Sequence, residues 1–556
     1  MLKTKYKIGL GLLITAASAL SACGSKKTDD GKVVFWSSFG SSYTQALDQI
    51  VANVATATGT EIDHKPQGSY DEIYRNMQSA IAAGDYPNIA IGYPDHFASY
   101  LGSGVLTPLD EYFTETELDD YYSFYMNENK FYDNGKTKAR ERIYGIPFNK
   151  STELLGYNGT FVDYCAFVQS EYGYSGLENI PATWEEWEVQ GPKYYAIYKD
   201  MFGKGLYGVQ DVFGTGSDFK LIAPDAQGNL PGAEDDDGEI AYEGRKLLID
   251  LTKVTAANSV LMGWDATDNA FITLVRQWNA EYTKVDPSEN AKIAKRRIGS
   301  VMFNSSENQT KVIDMLKTFR KLHDKHIFGT PQTPLNATYC SSGYELGQVM
   351  FMICSSGGLS HNTADWHLRF RVAPVPYKAT NGKKAVISQG ANICLTDKGS
   401  LENSVKVIKA FTTGAFQTDW CLKTGYYPCS KSATNSAEYQ AFVHEGQKKV
   451  GDEWVSMSAA EAAAANAYSS PVRVAYREGS LLNDQEYMNT AKGWDKFVDP
   501  AFEGSAILRA AVKKIFDSIL SIGSGDIDND SAYKAKLDSV EQDPTIKGAS
   551  TINFVH

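Results

Sequence analysis

Arg509 is the side chain in this sequence with the sharpest chemistry. It lies one turn into an apolar-periodic segment, Leu508, Val512, Ile515, Phe516 and Ile519, that starts near Gly504-Ser505. A guanidinium is a planar fork of donors, and a helix start adds unpaired amides, so together they suit an oxyanion. The same arginine on an amphipathic helix is also at home in water. Trp36 and Trp366 are placed to stack on a sugar ring, although Trp36 sits in an apolar run that reads equally as core. Catalytic and metal patterns are thinner. No Gly-x-Ser-x-Gly, His-Glu-x-x-His or P-loop occurs, and His444-Glu445 is followed by Lys448 where zinc spacing needs a histidine. His323 and His326 share a helix at i, i+3 with no third ligand nearby in sequence, and read as solvated. Asp526-x-Asp528-x-Asp530 opens like a calcium loop, but Ser531 and Leu537 stand where glycine and an acid are needed, so it reads as a polar loop. No metal or cofactor is expected. With 67 acidic residues, a glycosidase carboxylate pair stays open as an alternative.

Bulk properties narrow the class. At 556 residues the chain exceeds one compact core and implies at least two domains. Its formal charge is −13, which disfavours nucleic acid, because phosphate binding needs a positive surface. Seven cysteines are sparse for this length and show no metal spacing, so most read as buried thiols; Cys421 and Cys429 form the one close pair worth testing as a disulfide.

Periodicity predicts strands at 32–36 and 88–93 and a weaker one at 61–63. It predicts helices over 41–57 and 70–83, the latter with Ile73, Met77, Ala80 and Ile81 on one face. This alternation argues for a parallel α/β sheet. Thr183 is placed to cap a helix whose first turn holds Glu185 and Glu186. Residues 211–240 read as a surface loop, 308–326 as an amphipathic helix, and 459–467 as an alanine-rich helix.

The N-terminus carries Lys3, Lys5 and Lys7, an apolar stretch from Ile8 to Ala19, and then Leu20-Ser21-Ala22-Cys23. The layout is that of an export signal. The final four residues resemble a bacterial lipobox, which implies cleavage before Cys23 and lipidation of its thiol. The apolar stretch is shorter than the ~20 residues a membrane span needs. Residues 1–22 are then a signal peptide and 23–32 a tether. Loss of the three lysines takes the formal charge from −13 to −16. The expected location is the outer face of a bacterial membrane, held by lipid.

Several segments in order resemble the extracellular solute-binding proteins of bacterial ABC importers, the group that includes maltose- and glycerol-3-phosphate-binding proteins. They are Val34-Phe35-Trp36-Ser37, Gly84-Asp85-Tyr86-Pro87-Asn88-Ile89, Leu106-Thr107-Pro108-Leu109-Asp110, Tyr144-Gly145-Ile146-Pro147-Phe148-Asn149, Pro181-Ala182-Thr183-Trp184-Glu185-Glu186 and Gly425-Tyr426-Tyr427-Pro428. The resemblance implies a two-lobed α/β fold of the periplasmic-binding-protein type, with the ligand in a cleft between lobes joined by crossing hinge segments. It places 33–149 and 389–425 in one lobe and 150–388 and 426–556 in the other. It also implies a monomer that works with a membrane permease and is not an enzyme. A secreted glycosidase and a surface adhesin are the alternatives.

Within that group, Phe148 to Thr152, Ser355 to Gly358, Gly390 to Asn392, Lys423 to Pro428 and Ile507 to Arg509 resemble the glycerol-3-phosphate branch. The branch implies a ligand set of Tyr70, Asp95, Ser151, Ser355, Ser356, Gly390, Tyr426 and Arg509, with Asp95 one place beyond the branch's acid. Trp36 and Trp366 join the set as stacking candidates. The solute is then a phosphorylated polyol, a sugar or an oligosaccharide, and extra sequence near 211–300 and 440–500 sets this chain apart from the branch.

Overall fold

Val33 and Phe35 are fully buried while Val34 and Trp36 are only partly so, the alternation that a strand with one core face requires. In the computed structural model the described residues are 31–39, 41–132, 141–210, 217–222, 226–227, 247–285, 298–362, 370–451, 453–465 and 470–556. Cys23, Trp366 and most of the 211–240 loop lie outside them. Among the described residues of that loop, Ser217–Ile222 form a strand paired antiparallel with Gly205–Gln210.

The molecule is two-lobed, and two large sheets dominate it among the described residues. In the first, Val33–Ser37 pairs parallel with Ile62–Pro66 and with Ile89–Gly92, as strand–helix–strand alternation demands. The sheet is nevertheless mixed, not all parallel. Its next strand, Asn392–Thr396, enters from the other half of the molecule and runs antiparallel to Ile89–Gly92. Helix Tyr70–Ala83 buries Ile73 and Met77, begins in a capping box between Ser69 and Glu72, and stops at the left-handed Gly84. In the second sheet the central strand is Ser151–Asn158, every residue of which is buried; it pairs with Phe351–Ser355, Phe370–Ala373 and Ala385–Gln389. Thr183 caps helix Trp184–Asp200 through a second capping box with Glu186.

Two sequence expectations need correction. The apolar segment 508–519 is not one helix: it breaks at Lys513-Lys514 into Ser505–Val512 and Ile515–Leu520. His323 and His326 are half-buried and do not share a helix, which ends at Asp324: His323 Nδ1 lies 2.9 Å from the Phe328 carbonyl, and the His326 ring stacks on Tyr195 with centroids 5.0 Å apart. The six cysteines after Cys23 are all buried free thiols, so Cys421 and Cys429 are not bonded to each other.

Three chain segments run side by side between the sheets. The amides of Phe148 and Asn149 both donate to the Ala391 carbonyl at 3.2 Å, and Tyr427 N donates to the Lys150 carbonyl at 2.6 Å. Gly390 (φ +96°) and Gly425 (φ +75°) stand at these contacts. A Cβ on Gly390 would lie 2.0 Å from the Asn149 carbonyl oxygen, so only glycine lets the two segments approach this closely. A buried ion pair, Lys150 with Glu128, braces the same place; Lys150 Nζ also donates to the Gly390 carbonyl (3.1 Å) and Asn392 Nδ2 to Glu128 (2.8 Å).

Candidate functional site

A cavity of about 710 Å³ opens where the two lobes face each other. One wall comes from the start of helix Tyr70–Ala83 and from Tyr93, Asp95 and His96 at the start of helix Pro94–Leu101. The opposite wall comes from Asp268 and Asn269 in helix Thr267–Gln277 and from Arg509 in helix Ser505–Val512. Ser388, Gln389 and Gly390 form the floor at the crossing. Clefts between lobes are where contacts from both sides can surround a small solute.

Arg509 is the electrostatic centre. Because the helix ends at Val512, Arg509 stands in its last turn, and Leu508 beside it is buried in the core. Arg509 Nη1 donates to Asn269 Oδ1 at 2.7 Å and lies 3.4 Å from Asp268 Oδ2. Its Nε lies 3.7 Å from Asp95 Oδ2 of the opposite lobe, too far for a hydrogen bond, and has no hydrogen-bond partner among the described residues. Burial alone would lower the Arg509 pKa; Asp268, then Asp95 and Asp499, more than reverse that, and the net shift is upward. Asp499, which accepts from Thr283 Oγ1 at 3.0 Å, is itself pushed up to about 7 by burial.

Aromatic rings line the other wall. Tyr70 and Tyr93 stack with centroids 4.4 Å apart, and Tyr74 stacks on His96 at 4.9 Å. Asn149 Nδ2 donates to Tyr70 Oη at 3.3 Å. Burial raises the Tyr70 pKa and, more strongly, that of Tyr93, so both hydroxyls stay protonated and able to donate.

The structure thus brings Tyr70, Asp95, Gly390 and Arg509 to one cavity. The other expected residues lie elsewhere. Ser151 is buried in the central strand of the second lobe, paired with Gln389. Ser355 Oγ accepts from Gly357 N at 3.2 Å, capping its own turn, and Ser356 is fully buried. Tyr426 packs on Gly357, stacks on Trp420 and meets the Tyr70 hydroxyl with its own. Trp36 packs against the first lobe's core. Sequence reading missed Tyr93, Asp268, Asn269, Ser388, Gln389 and Asp499. Ser388 and Gln389 adjoin the Gly390 motif and were within reach. Asp268 and Asn269 open a helix, where polar residues ordinarily signal only a helix start.

Residues 49–444 match the family described as bacterial extracellular solute-binding protein. The chain belongs to that family. Among relatives of this solute-binding protein are two uncharacterised lipoproteins of Mycoplasma pneumoniae. One is 30% identical over 198 residues, covering 33% of this chain and 23% of the relative; the other is 28% identical over 178 residues, covering 29% and 21%. The match therefore spans only about a quarter of the length of those relatives. Among solved structures, UgpB of Mycobacterium tuberculosis in complex with glycerophosphocholine superimposes with a TM-score of 0.55 at 17% identity, covering 92% of this chain and 98% of that one. The maltotriose-binding protein of Thermus thermophilus, bound with maltotriose, does so with a TM-score of 0.55 at 12% identity, covering 92% and 99%. At these identities the solved structures establish the two-lobed fold of this solute-binding protein and nothing finer.

Proposed function

We propose that this chain is the solute-capturing component of an ABC importer, tethered to the outer face of a bacterial membrane through Cys23, and that its solute is an uncharged sugar or short oligosaccharide. Residues 33–149 and 389–425 form one lobe of the trap and 150–388 and 426–556 the other, crossing at the Gly390 and Gly425 contacts. The chain binds its solute, hands it to a permease and does not turn it over.

The observation that carries the choice of solute is the charge balance at Arg509. Its guanidinium already faces Asp268 on its own lobe and Asp95 on the opposite one. A phosphate placed against it would meet both carboxylates. At an effective dielectric constant near 20, each like-charge pair at 4 Å costs about 4 kcal/mol, and Arg509 offsets only one such pair; Arg75, Lys513 and Lys514 also line the cavity, but so do Asp71, Glu128, Asp499 and Asp543. Sugar hydroxyls do better there, since they donate to the carboxylates and accept from the guanidinium. Size points the same way: a cavity of about 710 Å³ falls in the ~300–1,000 Å³ range that holds drug-sized ligands, and a three-carbon phosphate would leave most of it unfilled. The stacked tyrosines supply the apolar face that a pyranose ring needs.

The test is a thermal-shift screen followed by calorimetry with glucose- and mannose-based di- and trisaccharides, glycerol 3-phosphate and glycerophosphocholine. Mass action predicts that a saccharide raises the melting temperature and binds one to one, and chromatography returns it intact. Binding of glycerol 3-phosphate with no saccharide bound overturns the sugar assignment. Release of shorter sugars overturns the transport reading in favour of a glycosidase.

A further inference from the structure

Lys496 sits beside the crossing of the lobes, where its amine is held out of water by residues of both. It is 8% exposed. It lies in strand Asp495–Phe497, which pairs parallel with Ala385–Gln389. Its Nζ lies 2.9 Å from Tyr125 Oη of the opposite lobe and 2.7 Å from Asn483 Oδ1 of its own. Three rings surround it: those of Tyr125, Tyr427 and Phe124, with centroids 5.0, 5.6 and 5.9 Å from Nζ. Asn483 opens a π-helical turn, Asn483–Tyr487, a geometry that gathers at functional sites.

The charged groups around Lys496 are engaged with other partners. Asp484, in the same π-helical turn, accepts from Tyr439 Oη at 2.8 Å and from Asn483 Nδ2 at 3.1 Å. Glu128, at the end of the helix that carries Tyr125, is paired with Lys150, which is a like charge to Lys496. Burial pushes the Cys429 thiol up to about 12, so it stays neutral. Glu486 pairs with Lys492, and Asp495, next to Lys496 in its strand, pairs with Arg276 and Lys383. Among the described residues no carboxylate forms an ion pair with Lys496. A buried ammonium with no counter-ion gives up its proton in preference to staying charged.

We propose that Lys496 is a proton-governed latch between the lobes: as a neutral amine it lets Phe124 and Tyr125 close onto it, and as an ammonium it favours a parted state in which water reaches it. This rests on the reading of the two lobes as a trap that opens and closes, and not on the identity of the solute. The neutral amine still donates to Asn483 Oδ1, and its lone pair accepts from Tyr125 Oη, so both contacts survive when closing releases one proton to solvent. Burial pushes the Lys496 pKa down from 10.5 to about 7, with Asp484 opposing. Between those two values the parted state carries the proton and the closed state does not. Each unit fall in pH across that window therefore multiplies the ratio of parted to closed molecules by up to about ten. The closed contact is fully favoured above pH 10.5 and is lost progressively as pH falls towards 7.

The experiment is small-angle neutron scattering of the full chain in detergent, at the detergent's contrast-match point, at pH 7 and pH 9.5 with no solute. The parent should show the larger radius of gyration at pH 7. Lys496→Met fills the same space without a charge and should keep the smaller radius at both pH values. Lys496→Arg stays charged throughout and should keep the larger one. Tyr125→Phe leaves the lysine and its packing in place, and so serves if either Lys496 variant fails to fold. It removes the hydroxyl that the neutral amine accepts from, and should bring the radius at pH 9.5 up towards that at pH 7. A parent radius that is equal at the two pH values, or smaller at pH 7, overturns the latch. So does a Lys496→Met or Tyr125→Phe protein whose radius follows pH as the parent's does. If the latch fails while saccharide at fixed pH still compacts the protein, the trap reading stands; if saccharide leaves the radius unchanged as well, both fall.

Discussion

Glu153 lies fully buried in the strand Ser151–Asn158, with Oε1 accepting from Trp264 Nε1 at 2.9 Å and Oε2 left without a hydrogen-bond partner among the described residues. Burial raises its pKa to about 8, opposed in part by the Trp264 bond. A carboxyl whose folded pKa stands above its unfolded value of 4.5 holds its proton more tightly when folded. Its contribution is fully present below pH 4.5 and is lost as pH climbs towards 8. Glu153→Gln keeps the acceptor for Trp264 and removes the titration. We expect the parent's melting temperature to fall between pH 5 and 8 by calorimetry, and the variant to lose part of that fall. The gain above pH 8 should be on the order of a few kcal/mol. Equal slopes in the two proteins would show that Glu153 does not titrate in this window. Nothing around Glu153 in the sequence announces burial of a carboxylate; the pairing of its strand with three neighbours creates it.

The crossing depends on Gly390, where left-handed backbone and close approach coincide. Gly390→Ala would place a Cβ 2.0 Å from the Asn149 carbonyl oxygen at φ +96°, so the strand ends must separate. We expect a loss of at least about 2 kcal/mol in chemical denaturation, and weaker solute binding in the fraction that folds. A variant as stable as the parent would mean that the segments can part without cost. The helix that carries Arg509 shows the complementary limit of sequence reading. Its apolar spacing runs on through Ile519, but the chain breaks at Lys513-Lys514, and Arg509 is left in the last turn of an eight-residue helix. Periodicity reports which side of the chain is buried and is silent on where packing interrupts the hydrogen-bond ladder.

Contacts at separate points tie the lobes together. Tyr43 Oη donates to the Gly357 carbonyl and meets Ser360 Oγ at 3.0 Å, Arg509 faces Asp95, and Lys496 Nζ donates to Tyr125 Oη at 2.9 Å. If closure over the solute makes these contacts, Tyr43→Phe should weaken binding about three- to tenfold, the worth of one neutral hydrogen bond, without touching the cavity. Small-angle scattering of the parent should show a smaller radius of gyration with saccharide than without it. An unchanged radius at saturation would argue against a closing trap. Anchoring belongs to the same level. Cys23→Ala should move the protein from the membrane fraction to the soluble fraction on cell fractionation, and a variant that stays membrane-bound would refute the lipid anchor.

Much of the architecture was legible from the chain alone. The first strand and helix, the helix 70–83 and its caps, and Thr183 as an N-cap all depend on neighbours a few residues apart, and so does the order of short motifs that marks the family. The cavity depends on residues that the chain holds far apart. Arg509 meets Asp268 across 241 positions, and the antiparallel entry of Asn392–Thr396 into the first sheet follows from a crossing that local spacing cannot encode. Type and spacing therefore singled out Arg509 as a residue able to hold an anion. Only the packing of the two lobes brought carboxylates from both sides to it, Asp268 from its own lobe and Asp95 from the other, because ion pairs of this kind join residues that lie far apart in the chain.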